Sequence, residues 1–430
     1  MTLKIIKKLF PVDKKVTLSF SSVFPYEISS EKKYTVYLSP LSNFRIYGKF
    51  KEGITLNCEA MECFYKQLPV KIEGDRLILD IIFPQEDEYK IKVYQNGNLL
   101  DSFKIFALDN DLYQTTPYKG DGHMHTYYSD GLESPEYVAA CCRTRGLDFI
   151  AVTDHRQYFP SIRAQQKFEP IKTDFLILNG EEVHSPGNNV HIINFGGSFS
   201  VNEWFNEKRA EYDCLVASKL ATIIEPMSDY TRYNIAASMV IFDKIREGGG
   251  VAVFCHPYWE TGNGYDISED ITQYLMEHKP FDALELIGGY TTDEYFSNPL
   301  QTAYQSTMFP NIPVVGHTDS HGQHRADLGA DWYYMIVFAK DLSLPSLREA
   351  VINGKCVAVD ASASGFPKVY GSYRLVKYTY FLLENVYPTH DDICSKQGLL
   401  MRKFVMGKDD ILDNLNSYND KAEDYYKELK

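Results

Sequence analysis

The sequence predicts an α/β chain in three parts: a small all-β sandwich over residues 1–112, a β/α barrel over 113–365, and a C-terminal helical extension over 366–430. Three observations predict this. The first stretch alternates short apolar runs with turn residues, the middle stretch alternates helix-patterned segments with short buried-strand runs, and the last stretch returns to helical spacing. With 430 residues, 44% hydrophobic and 14% aromatic, the chain can bury more than one core.

The N-terminal strands are read at 34–38 (YTVYL), 44–50 (FRIYGKF), 54–58 (ITLNC), 77–83 (LILDIIF), 89–94 (YKIKVY) and 103–106 (FKIF). In the fifth run Tyr89, Ile91 and Val93 share one face and the lysines the other, the signature of a half-buried strand. Asn96-Gly97 follows, a pair suited to the positive φ angles of a tight hairpin. Such density of short strands suggests a sandwich, immunoglobulin-like in kind. This region holds no histidine.

The middle part opens its first helix with Ser134 as N-cap, Pro135 at the first helical position and Glu136 against the positive helix end. That helix runs to Gly146 and feeds an apolar strand at 148–155 (DFIAVTDH). The unit recurs: a helix near 236–247 stops at Gly248-Gly249-Gly250 and feeds 251–257 (VAVFCHP). Another at 268–279 stops at Pro280 and feeds 282–288, and a third near 300–308 feeds 313–321 (PVVGHTDSH). Repeated helix-to-buried-strand units argue for a parallel sheet closed as a barrel. Runs at 373–387 and 397–407 are read as helices, followed by a charged end at 408–430.

Composition narrows the function. A net charge of −14 repels phosphate backbones and argues against long nucleic acid as partner. A small anionic substrate held by cations stays compatible, because a bound ion dominates its local field. No apolar run reaches the ~18–20 residues of a membrane span, and the start lacks a signal-type apolar segment. Eight cysteines, among them Cys58, Cys63, Cys141 and Cys142, form no C-x-x-C pair, which fits thiols in a reducing cytoplasm.

The histidines carry the chemistry. In 121–131 (DGHMHTYYSDG), His123 and His125 alternate along an extended segment and point to one side. An isolated H-x-H carries little weight, but each apolar strand ends in further metal-binding types. Thr153-Asp154-His155 closes one, Gly180-Glu181-Glu182 another, with His191 just beyond; His256-Pro257 and Asp319-Ser320-His321 close two more. In a β/α barrel the carboxyl ends of the strands meet at one rim. So many imidazoles and carboxylates exceed the needs of a single ion, and without thiolate they suit zinc, manganese or iron, two or three divalent ions in all.

This ordered set resembles the polymerase-and-histidinol-phosphatase (PHP) family of metal-dependent phosphoesterases. The matches are His123, His125 and Asp130 in the first motif, then His155, Glu182, His191, His256, Asp319 and His321, spread over roughly residues 118–365. Gly122 stands where the family carries an apolar residue, and Thr318 where serine is common. The C-terminal region also looks like a branch that includes carbamate hydrolases. The resemblance implies a distorted β/α barrel of the PHP type. It implies that His123, His125, Glu182 and Asp319 surround one ion, and that Glu182 bridges to a second held by His191 and His256. Asp130, His155 and His321, the candidate catalytic residues, complete a third position or hold the other ligands in place. Two cations drawn together by a carboxylate acidify a shared water, which attacks phosphorus in line.

Other residues carry two readings. Glu181 competes with Glu182, though the G-x-E spacing favours the latter. His184, Arg156 and Arg325 are candidate substrate contacts, and His324 lies close by; Arg143 and Arg145 offer further guanidinium groups. His317 reads as a hydrogen-bonded neighbour of the ligands, and Glu285 as either a site residue or a structural ion pair. His278 and His390 read as ordinary packing or surface residues. The leading function is hydrolysis of a small phosphate ester. The same ions would also serve amide or carbamate hydrolysis, and a non-catalytic binding protein with a metal-stabilised scaffold is a third reading.

Overall fold

The computed structural model describes residues 2–42, 66–261, 264–288, 297–323, 332–362 and 366–430. The strands expected at 44–50 and 54–58 and the thiols Cys58 and Cys63 lie outside these residues, as do His324 and Arg325. The chain divides into two units. One comprises Met1–Thr115, Phe381–Val386 and Glu423–Lys430, the other Thr116–Tyr380 and Tyr387–Ala422. Residues 366–430, expected as one helical extension, are thus shared between them.

In the first unit, Leu3–Lys4, Lys15–Ser22, Arg76–Ile82 and Lys71–Glu73 form a four-stranded antiparallel sheet in that spatial order. Leu9–Pro11, Asn98–Leu108, Asp87–Gln95, Tyr34–Pro40 and Lys66–Leu68 form a five-stranded sheet, antiparallel except for its first pair. Leu18, Phe20, Leu77 and Leu79 from one sheet and Val36, Ile91, Val93 and Ile105 from the other lie in one apolar cluster. Burying each such side chain contributes about 1.5–3 kcal/mol. The hairpin turns at Asn96 and Gly97, both at positive φ, with Gln95 paired to Asn98.

In the second unit, a six-stranded sheet runs in the order Leu176–Leu178, Phe149–Ala151, Thr116–Asp121, Tyr333–Ala339, Cys356–Asp360 and Lys368–Tyr370. Its first three strands are parallel and the rest antiparallel. A five-stranded sheet runs Gly180–Val183, Ile192–Phe195, Val251–Phe254, Ala283–Ile287, Val314–Gly316. Rather than one closed all-parallel ladder, the described strands make two open sheets of mixed direction. Two single parallel bridges link them, Met124 to Ser320 and His155 to Glu182. Both bridges involve residues at or just beyond strand ends, where the candidate ligands sit.

The helices follow their sequence signals. Pro135–Thr144 is capped by the Ser134 hydroxyl, which accepts from the Tyr137 amide at 3.3 Å. Asp229–Glu247 is capped by Ser228 and ends at Gly248-Gly249, where Gly249 takes a φ of 76° and turns the chain into Val251–Phe254. Ile235, Ile241, Phe242 and Ile245 on that helix are buried with Ile192, Ala252 and Phe254, which fixes the sheet carrying Glu182 and His256. No helix among the described residues is long and apolar enough to cross a membrane. Six described cysteines are free thiols, all buried but Cys214.

Candidate metal centre

Alternation places the first ligands. In the extended segment after Thr116–Asp121, His123 and His125 point to one side, while Met124 turns into the apolar cluster with Val138 and Ile150. The segment is tied on both flanks. The Thr153 amide donates to Met124 O at 2.9 Å, the Asp319 amide to His123 O at 2.9 Å, and the His125 amide to Ser320 O at 2.9 Å. Segments far apart in sequence thus meet through backbone hydrogen bonds.

Glu182 sits at the middle, fully buried. Its Oε1 lies 2.8 Å from His191 Nδ1 and 3.3 Å from His256 Nε2. Its Oε2 is close to His155 Nδ1, and lies 3.6 Å from His125 Nε2 and 3.7 Å from His123 Nε2. Asp319 Oδ1 lies 2.9 Å from His125 Nε2 and 3.1 Å from His123 Nε2. Asp130 closes the outer side, its Oδ2 3.4 Å from both His155 Nε2 and His321 Nε2. All nine residues of the ordered motif set therefore stand in one cluster. His191 joins it just before the strand Ile192–Phe195, which runs antiparallel to both its neighbours and starts beside the ends of Gly180–Val183 and Val251–Phe254.

Glu181 faces the other way, as its neighbour's alternation requires. It accepts from Ser200 Oγ and Asn202 Nδ2 at 2.8 Å each and from Asn194 Nδ2 at 3.1 Å, so it anchors the fold and is no part of the cluster. His184 Nε2 lies 2.9 Å from His155 Nδ1 and its ring packs on His191. Arg156 is exposed beside the cluster. Arg143 is fully buried in ion pairs with Asp148 and Asp174, and Arg145 is bonded to Gln323, so neither reaches the centre. His278 stacks on Tyr274 at the surface, and His390 is buried against Asp148.

Some supporting residues gave no signal in the sequence beyond adjacency to a motif. Asp154 accepts from the Thr126 amide at 2.8 Å, from Ser129 Oγ at 2.7 Å and from the Ser129 amide at 3.1 Å, and so shapes the loop that carries Asp130. Asp121 accepts from Thr318 Oγ1 at 2.6 Å and from the His123 amide at 3.1 Å; Thr318 keeps the hydroxyl that serine would supply. Arg156, His256 and Asp319 adopt positive φ angles of 59°, 28° and 47°. Such backbone costs of order 1–3 kcal/mol each and clusters where side chains must be aimed.

Electrostatics match a site made for cations. Burial disfavours charge on His155, yet Glu182 and Asp130 override it and push this imidazole up to about 10. The same contest leaves Asp130 and Asp319 well below the usual carboxylate range, held there by the surrounding imidazoles. Burial is the main cause that brings His184 down to about 4. Cys255 lies behind Glu182, and burial and the nearby carboxylates push its thiol well up. The residues fit divalent ions by donor chemistry. Among the described residues, Glu182 Oε2, His191 Nδ1 and His256 Nδ1 are buried with no hydrogen-bond partner, and His191 Nδ1 faces Glu182 Oε1 at 2.8 Å outside hydrogen-bond geometry. Imidazole nitrogens and carboxylate oxygens that converge on one place are the donor types a divalent cation takes. Donor atoms of His125, Asp130, His155 and His321, and separately of His123, His125 and Asp319, lie within 4.8 Å of one another.

No family model matches the chain. Over 228 residues, 49% of this chain, it is 42% identical to the DNA polymerase/3'-5' exonuclease PolX of Bacillus subtilis (strain 168). That match covers 35% of the relative, so this chain spans about a third of its length. A solved two-domain protein of Bacteroides vulgatus ATCC 8482, containing a predicted PHP-like metal-dependent phosphoesterase, is 20% identical, with 57% of this chain and 65% of that chain covered at a TM-score of 0.39. An amidohydrolase from Chromobacterium violaceum is 16% identical, covering 49% and 89% at 0.29. The ordered motif residues gather around Glu182, as the resemblance to the PHP family implies. The chain is PHP-like. The nine candidate ligands of the PHP-like motif order stand together, and Gly122 and Thr318 depart from that pattern without removing a ligand.

Proposed function

We propose that the chain is a metal-dependent hydrolase of small phosphate esters, built on a distorted β/α barrel with a β-sandwich before it. The observation that carries this reading is Glu182, a buried carboxylate whose two oxygens face different imidazoles and so suit a bridge between two cations. On this reading His123, His125, Glu182 and Asp319 hold one ion, and Glu182, His191 and His256 a second. Asp130, His155 and His321 hold a third or act on the substrate directly. When bound, the ions would supply Lewis acidity toward a phosphoryl oxygen and a nucleophile at neutral pH.

The protein's own groups do the rest. Three carboxylates in the cluster would repel a phosphate, so anion binding depends on cations that outweigh them. The outer group is placed to meet substrate: Asp130 is half-exposed, and His155 and His321 flank it. Arg156 and His184 stand beside that outer group and are the proposed substrate contacts, together with Arg325. Glu182 is fully buried, and the low dielectric around it strengthens each charge interaction there.

The test is a panel of phosphomonoesters, phosphodiesters, a short single-stranded oligonucleotide, amides and carbamates, offered to protein loaded with zinc, manganese or iron. Phosphoester turnover that disappears in His125→Ala and Asp319→Ala supports the proposal. Carbamate or amide turnover without phosphoester turnover would reassign the same centre to carbon–nitrogen bonds. No turnover of any class by metal-loaded protein would favour a binding role.

A further inference from the structure

The first motif departs from the PHP pattern at Gly122, and the structure links that departure to two residues behind the metal centre. Fully buried Glu285 presents one oxygen, Oε2, to two imidazoles: His123 Nδ1 at 2.9 Å and His317 Nδ1 at 2.8 Å. A carboxylate can only accept, so both Nδ1 atoms donate. That fixes a proton of His123 on Nδ1 and turns its Nε2 toward Asp319 and Glu182, the nitrogen that a cation there would take in place of a proton. His317 reaches Glu285 through the space beside Gly122. A Cβ at position 122 would stand 2.9 Å from His317 Nε2 and 2.9 Å from the Phe195 ring, closer than such atoms approach.

Glu285 is itself held in place. It lies on Ala283–Ile287 where the pairing with Val314–Gly316 shifts register, and Gln301 Nε2 donates to its carbonyl. Among the described residues, Glu285 Oε1 and His317 Nε2 are buried with no hydrogen-bond partner, so the hydrogen bonds this pair does make converge on Glu285 Oε2.

We infer that Gly122, His317 and Glu285 form one unit: glycine makes room for His317, and the Glu285–His317 pair orients His123 and raises its strength as a metal ligand. Glu285 is thus a positioning residue, acting on the ion only through His123. The inference rests on the metal-dependent reading above, and its test separates the two.

Zinc affinity is measured by chelator competition on the full chain, for wild type, Glu285→Gln and Gly122→Ala, alongside thermal unfolding of each metal-free protein. Cobalt-loaded samples give a visible absorption band that reports the ligand field. Glu285→Gln keeps size and one acceptor but removes the charge. It is expected to weaken zinc binding about 10–100-fold and to shift the cobalt band, while the metal-free protein stays folded. Gly122→Ala, which displaces His317 without touching Glu285, is expected to weaken zinc in the same direction by a smaller factor. Affinity within twofold of wild type in a folded Glu285→Gln overturns the inference. If that variant does not fold, unchanged affinity in Gly122→Ala overturns it instead. Failure of the wild type itself to bind zinc or cobalt would sink the metal-dependent reading, a separate result.

Discussion

Glu181 and Glu182 are neighbours of one chemical type, and strand alternation sends them to opposite tasks. Motif spacing pointed to Glu182, but only the four donors gathered around Glu181 explain why a second buried carboxylate stands beside it. The two therefore fail differently. Glu182→Gln is expected to lose bound metal, because one bridging oxygen becomes an amide nitrogen, and to destabilise the metal-free protein as well, because His155 and His191 lose their buried charged partner. Glu181→Gln is expected to retain metal but to lose about 1–3 kcal/mol of stability, since its amide hydrogens face existing donors. Metal content and denaturant unfolding of both variants check this, and equal metal loss in both would contradict it. At this scale the sequence exposed the ligands well, because metal-binding types at strand ends are rare and ordered. It concealed Asp121 and Asp154, whose partners are backbone amides and hydroxyls that no residue pattern announces.

Elements bring these residues together, and their directions were the harder part to read. Helix starts and stops at Ser134, Ser228 and Gly248-Gly249 were visible because caps and glycines act locally. The reversal of Ile192–Phe195 was not, because a short apolar run carries no sign of its direction. A second element-scale feature escaped the sequence altogether. His390, expected as an ordinary packing residue, lies on the helix Tyr387–Val405, and its Nε2 donates to Asp148 Oδ1 at 2.8 Å inside the core. Burial opposes charge on both partners, but Asp148 raises His390 well above its ordinary value, and His390 and Arg143 lower Asp148. His390 thus contributes stability fully below about pH 6.5, lost as pH rises through its folded value; Asp148 contributes above about pH 4, lost as pH falls through its own. His390→Ala is expected to cost about 3–5 kcal/mol between about pH 5 and 6, with the difference from wild type shrinking on the alkaline side. Urea unfolding across pH checks it; a constant difference would show that the pair is not ionised. The rim itself makes a related prediction. Without cations, Glu182 and Asp130 keep a proton on His155, and His123, His256 and His321 are raised as well. Zinc titrated into weakly buffered protein near pH 7 should release protons, and affinity should fall as pH falls. Zinc binding with no proton release would contradict those charge states.

On the scale of the whole molecule, the fold class was legible as alternating α and β signals, and closure was not. Two open sheets joined by single bridges at Met124–Ser320 and His155–Glu182 replace the all-parallel cylinder that repeated helix–strand units suggest. Those bridges lie within the motif segments, so the same residues that gather the ligands also link the sheets. A chain of net charge −14 that buries carboxylates in such a seam stays together at neutral pH by pairing them with imidazoles, and by cations where these are supplied. Diffraction from crystals grown with manganese or zinc, collected to locate the ions by anomalous scattering, tests this most directly. Two or three peaks around Glu182, within reach of His123, His125, His155, His191, His256, Asp319 and His321, are the predicted result. A map with no peak at Glu182, or with ions bound only elsewhere, would contradict it.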